Sequence, residues 1–86
     1  MNYAVRLERQ AEKELRSLPS QILKRIDKRL LTLAEEPWPR DSLKLKGKEG
    51  EGWRIKTGDY RILYTIDEAQ KIIKVYRIKH RREAYR

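Results

Sequence analysis

Apolar residues recur along this chain at two different intervals, and the change of interval divides it into a helical first half and a stranded second half. Tyr3 to Leu7 (YAVRL) is short and carries aromatic and β-branched side chains, which predicts an opening strand. Ala11, Leu15 and Leu18 then follow at spacings of four and three, with charges between them, the period of a helix that Pro19 ends. Ser20 is placed to cap a second helix. Its apolar stripe is Ile22, Ile26, Leu30 and Leu33, and it closes at Glu36 before Pro37.

Pro37-Trp38-Pro39 rules out regular structure, and Leu43 and Leu45 alternating with Lys44 and Lys46 allow one brief strand. Three of the four glycines fall at 47–52, which reads as a solvated, mobile turn. From Trp53 the period becomes two. Trp53 and Ile55 alternate with Arg54 and Lys56, and after a Thr-Gly-Asp turn Tyr60, Ile62, Tyr64 and Ile66 alternate with Arg61, Leu63 and Thr65, so a hairpin is expected. Residues 67–70 form the next turn, and Lys71 to Lys79 reads as a central strand, apolar in part on both faces. With no repeat or linker, residues 1–86 are expected to form one domain. The expected class is α+β: an N-terminal strand, a two-helix hairpin, then three to four mainly antiparallel strands with the helices packed on one face.

Charge adds a function to this outline. Charged residues make up 41% of the chain and the net charge is +9. Residues 1–43 hold nine Lys/Arg against seven Asp/Glu, and residues 44–86 thirteen against six, so the second half carries +7 of the excess. Nucleic acid is the first expectation for a partner of such a surface. No stretch approaches the roughly 20 apolar residues of a membrane span, the first ten residues do not resemble a signal peptide, and Cys is absent. A cytoplasmic, membrane-free setting is expected.

If Trp53 and Ile55 pack inward, Arg54 and Lys56 project together from the open face, and Arg61 joins them. Each cation alone is accounted for by a solvated sheet face that resists aggregation. Three together point to an anion, and Arg suits phosphate through its planar fork of donors. Arg81, Arg82 and Arg86 in the terminal HRREAYR could extend that surface or belong to a solvated tail. His80 is the lone histidine, a candidate acid or base or simply a partner for a backbone carbonyl. A metal site is not expected, since His80 has no second His, Cys or carboxylate cluster beside it. Tyr60 and Tyr85 could pack as amphipathic rings or stack on bases.

Taken together, WRIKTGDYRILYTID and KIIKVYRIKHRREAYR closely resemble the carboxy-terminal half of the RelE/ParE toxin superfamily, nearest its RelE-like branch. AVRLERQAEKELRSLP and the helix after it fit the family's opening strand and helical hairpin. The resemblance implies the toxin of a type II toxin–antitoxin pair. It further implies an endoribonuclease without metal or other cofactor that cuts messenger RNA at the ribosomal A site, and a partner antitoxin, acidic and RelB-like, in a hetero-oligomer. By motif the implied catalytic positions are Arg54, Lys56, Arg61, Arg81 and Tyr85, with Arg54, Arg82 and Arg86 on the RNA.

The chemistry of 2′-hydroxyl attack fits that set. Arg61 and Arg81 would stabilise charge on the phosphate oxygens. Lys56 is the candidate base, with Arg54 and Arg61 disfavouring its charged form. Tyr85 could stack on a base or protonate the leaving 5′-oxygen, with His80 as the alternative acid. A ParE-like gyrase poison and a noncatalytic RNA- or ribosome-binding domain are the competing readings.

Overall fold

The computed structural model describes residues 2–82. In chain order it contains β1 (Ala4–Leu7), α1 (Arg9–Arg16), α2 (Ser20–Glu35), β2 (Leu43–Lys44), β3 (Trp53–Thr57), β4 (Tyr60–Asp67) and β5 (Ile72–His80). The strands form one sheet in the order β1-β5-β4-β3-β2. Only β1 and β5 run parallel; the other neighbouring pairs are antiparallel. The α+β expectation therefore holds with four strands after the helices. β4 takes the middle of the sheet, and β5 lies beside it, interior but flanked by β1.

The helices cover one face. Ala11 and Leu15 of α1 and Ile26, Leu30 and Leu33 of α2 meet Ile55, Ile62, Tyr64, Ile73, Val75 and Ile78 in a single core. Ile55 and Ile62 are cross-strand partners and fully buried, each contributing about 1.5–3 kcal/mol of apolar burial. Among the described residues no helix is long and apolar enough to cross a membrane.

Two expectations need correction. Ser20 does not cap α2: Pro19 takes that place with φ −56° and ψ 148°, and Ser20 is already the first helical residue, so no side chain caps the end. The glycine-rich segment is exposed at 46–49 yet tied down. It folds into a 3-10 turn at Gly47–Glu49, and the Tyr76 hydroxyl accepts from the Glu51 N–H at 3.1 Å and donates to the Glu51 carbonyl at 2.6 Å.

Tyr76 marks the feature that shapes the functional half. Leu63 faces Arg77 while Tyr64 faces Val75, so Tyr76 is an extra residue, a β-bulge. Up to that point Ile73 and Val75 face the helices, and strict alternation would carry Arg77 and Lys79 into the core. The bulge resets the phase. Ile78, opposite Ile62, is buried instead, and Arg77 and Lys79 take the open-face register.

Candidate functional site at the β3–β4 turn

Gly58 and Asp59 connect β3 to β4 as a two-residue turn, and Gly58 supplies the positive φ of 58° that such a hairpin needs at its first position. That turn sets the pairing of Lys56 with Arg61, and the bulge sets that of Arg61 with Lys79. Three cations thus sit in one row across three strands, at neighbouring positions where directly opposed like charges are destabilising. Arg81 extends the row past the end of β5. Its N–H donates to the Asp59 carbonyl at 2.7 Å, and its guanidinium lies 3.6 Å from the Asp59 carboxylate.

These residues enclose a cavity of about 220 Å³ lined by Lys56, Gly58, Asp59, Tyr60, Arg61 and Arg81. Three of the residues singled out by sequence, Lys56, Arg61 and Arg81, therefore meet in one place. Two guanidinium forks and one ammonium can hold a phosphate there. Asp59, which also contacts Arg81, occupies part of that donor capacity.

The other candidates lie elsewhere. Arg54 is one row away, between Leu43 and Leu63, outside that cavity. Its charge acts on Asp41, whose carboxyl is held low first by the hydrogen bond from Arg29 and to a lesser extent by Arg54. His80 is in register with Tyr60 on the helix-packed face, ring edge to ring face with centroids 5.1 Å apart, and its Nδ1 accepts from the Arg82 N–H at 3.2 Å. Arg82 and His80 line an adjoining cavity of about 460 Å³ with Asp59 and Arg81. Tyr85 and Arg86 lie outside the described residues.

Two residues escaped the sequence reading. Lys79 was hidden by the bulge, since period two gives it no fixed face; the break in alternation between Val75 and Ile78 was the available signal. Asp59 was read only as a turn former, yet it touches both cavities. Nothing short of the turn geometry points its backbone carbonyl at Arg81.

Comparison with known proteins agrees with this architecture. Residues 5–85 match the model for the ParE toxin of the type II toxin–antitoxin system parDE. Toxin RelG of Mycobacterium tuberculosis is 31% identical over 87 residues, spanning all of this chain and 99% of that protein. The toxin in the archaeal RelE–RelB complex from Pyrococcus horikoshii is 35% identical with a TM-score of 0.81, over 94% of this chain and 97% of that one. A toxin–antitoxin complex from M. tuberculosis gives a TM-score of 0.82 at 28% identity, over 93% and 99% of the two chains.

Proposed function

The chain belongs to the RelE/ParE superfamily of type II toxin–antitoxin toxins, and from that membership we propose that it is an endoribonuclease cutting messenger RNA in the ribosomal A site. The observation that carries this reading is the meeting of Lys56, Arg61 and Arg81 around one cavity of about 220 Å³. The 2′-hydroxyl of the nucleotide before the cut attacks phosphorus as its proton passes to Lys56. The P–O5′ bond breaks and the 5′-oxygen takes up a proton, leaving a 2′,3′-cyclic phosphate and a 5′-hydroxyl. Arg61 and Arg81 hold the nonbridging oxygens as their negative charge grows, the role in which one donor is worth about 10²–10³ in rate.

Lys79, opposite Arg61, adds a fourth cation to that field. Tyr85 stacks on a base or supplies the final proton, with His80 as the other acid, and Arg54, Arg82 and Arg86 hold flanking phosphates. No metal takes part in this mechanism. The whole chain acts as one domain in the cytoplasm, where translating ribosomes are. An acidic RelB-like antitoxin holds it inactive, in keeping with its +9 charge and with the RelE–RelB pairing of its relatives.

The test is to map new 5′ ends on a messenger translated by purified ribosomes, with and without the toxin. Discrete cuts inside codons are expected, and Arg61→Ala should lower them by about 10²–10³ while its circular dichroism stays that of the wild type. An uncut messenger sinks the proposal. The match to the ParE model favours one competing activity, poisoning of DNA gyrase, and a supercoiling assay run in parallel separates the two.

A further inference from the structure

The same turn that frames the candidate catalytic cavity has a second wall on the helix-packed side of the sheet. Arg25 and Thr57 are shared by two adjoining hollows there. One, of about 170 Å³, reaches Gly58, Asp59 and Tyr60 and so shares those residues with the catalytic cavity, the Asp59 carboxylate being turned toward Arg81. The other, of about 330 Å³, runs along α2 past Lys28 and Arg29. Arg25 lies against the turn itself, since a Cβ added at Gly58 would come within 3.4 Å of its guanidinium.

Positions 25, 28 and 29 share one side of α2, and Asp27 falls between them in sequence but away from that side. Arg29 is bound to Asp41. Among the described residues Arg25 and Lys28 form no ion pair. Like charges at positions 25 and 29 weaken an isolated helix by a few tenths of a kcal/mol. The Thr57 hydroxyl is buried in the wall of this groove with no hydrogen-bond partner among the described residues. The like-charge spacing and the unpartnered hydroxyl are each costly in the free protein.

We infer that this groove is a second phosphate site, which holds a backbone phosphate flanking the scissile one as the single-stranded RNA bends over the Gly58 turn. The inference rests on the ribonuclease reading and deepens it: Arg25 and Lys28 anchor the strand and fix where along it the catalytic cations act. RNA is favoured over an acidic protein because the groove and the catalytic cavity share the Gly58–Tyr60 turn as a common wall, so one strand passing over that turn can reach both.

The experiment measures binding of the full chain to a fluorescent 2′-O-methyl oligoribonucleotide of about 12 nucleotides, which cannot be cut, by anisotropy across a salt series. In Arg25→Ala/Lys28→Ala the slope of log K against log salt should flatten by about 0.7, the value for one phosphate released from a single strand, with affinity about tenfold weaker at low salt. Lys24→Ala, on the same helix but outside the groove, should keep the wild-type slope. Matching circular dichroism and melting establish that the variants are folded.

A double variant with wild-type slope and affinity overturns the inference. So does one that binds RNA normally but loses affinity for the acidic partner protein, which would give the groove to that protein. Failure of the ribonuclease reading looks different: the wild type would leave ribosome-bound messenger uncut while the double variant still showed the flattened slope.

Discussion

Glu14 ties helix α1 to strand β5, and replacing it with Gln tests how the end of the strand, which bears Lys79 and leads into Arg81, is held. β1 ends at Leu7, opposite Val75, so the edge of β5 beyond it needs another partner. Glu14 supplies one. Its Oε1 accepts from the Ile78 N–H at 2.7 Å, and its Oε2 accepts from Arg77 Nε and Nη2 at 2.9 and 2.7 Å. The Glu14 side chain is 16% exposed and that of Arg77 34%, so the pair is partly screened. Glu14→Gln keeps a carbonyl for Ile78 but turns an NH₂ toward Arg77. Losing the charge-assisted bonds there should cost about 2 kcal/mol, short of the ~3–5 kcal/mol for a fully buried pair.

For a chain of this size that lowers Tm by roughly 10 °C. Glu12→Gln, which breaks only the exposed pair with Arg16, should cost less than about 1 kcal/mol. Burial pushes the Glu14 carboxyl up, but the bonds from Arg77, Ile78 and Gln10 outweigh it and hold the pKa below 4.5. The stabilisation is therefore complete above pH 4.5 and fades as pH falls through the lower folded value, so wild type and Glu14→Gln should converge in acid. Equal Tm values at pH 7, or a gap that persists undiminished in acid, would refute the reasoning.

Three further outcomes follow from single contacts. Burial raises the Tyr64 phenol from 10.0 to about 12, so the unfolded chain ionises first and stability should fall as pH rises from 10 to 12, by up to a few kcal/mol. Tyr64→Phe should lose that alkaline slope in urea titrations and cost about 1–2 kcal/mol at neutral pH, where the Pro37 carbonyl loses its donor. Gly52→Ala places a Cβ 2.2 Å from the Tyr64 carbonyl oxygen at φ 79° and should yield insoluble protein, whereas Gly47→Ala, with nothing within 4 Å at φ 57°, should cost only about 1–2 kcal/mol; equal solubility and stability would count against the close approach. Lys79→Ala should raise stability at low salt by a few tenths of a kcal/mol up to about 1, an advantage that salt or phosphate erases, while weakening RNA binding; a loss of stability at every salt concentration would contradict the charge row.

Most of the architecture was legible because it follows from local periodicity. Ile26, Leu30 and Leu33 are buried where the helical stripe put them, and Ile55 and Ile62 where alternation put them. The Thr-Gly-Asp turn fixed the register that brings Lys56 beside Arg61. What could not be read depends on contacts between distant parts of the chain. The extra residue at Tyr76 is defined by its pairing with β4, and its hydroxyl is held by Glu51, 25 residues away. Nor does the sequence show that α1 closes the β5 edge through Glu14, 64 residues from Ile78. His80 illustrates the same limit: adjacent to Arg81 in sequence, it lies in the opposite register, against Tyr60.

The bulge therefore has a functional consequence beyond local geometry. Without it, β5 would have to bury Lys79 or expose Ile78, and either choice costs several kcal/mol in burial or desolvation. With it, the core keeps Ile78 while the open face gains a cation opposite Arg61, at the expense of repulsion along the row. A sheet selected only for stability would place an acid or a neutral side chain at one of these positions. Asp59 sits at the end of the row, near Arg81, and leaves Lys56, Arg61 and Lys79 facing one another across the strands. A row of like charges favours a bound anion, and the proposed phosphate in the cavity and the carboxylates of an acidic partner would both meet it. Competition between the two for one row of cations would let an antitoxin silence the proposed nuclease without altering its fold.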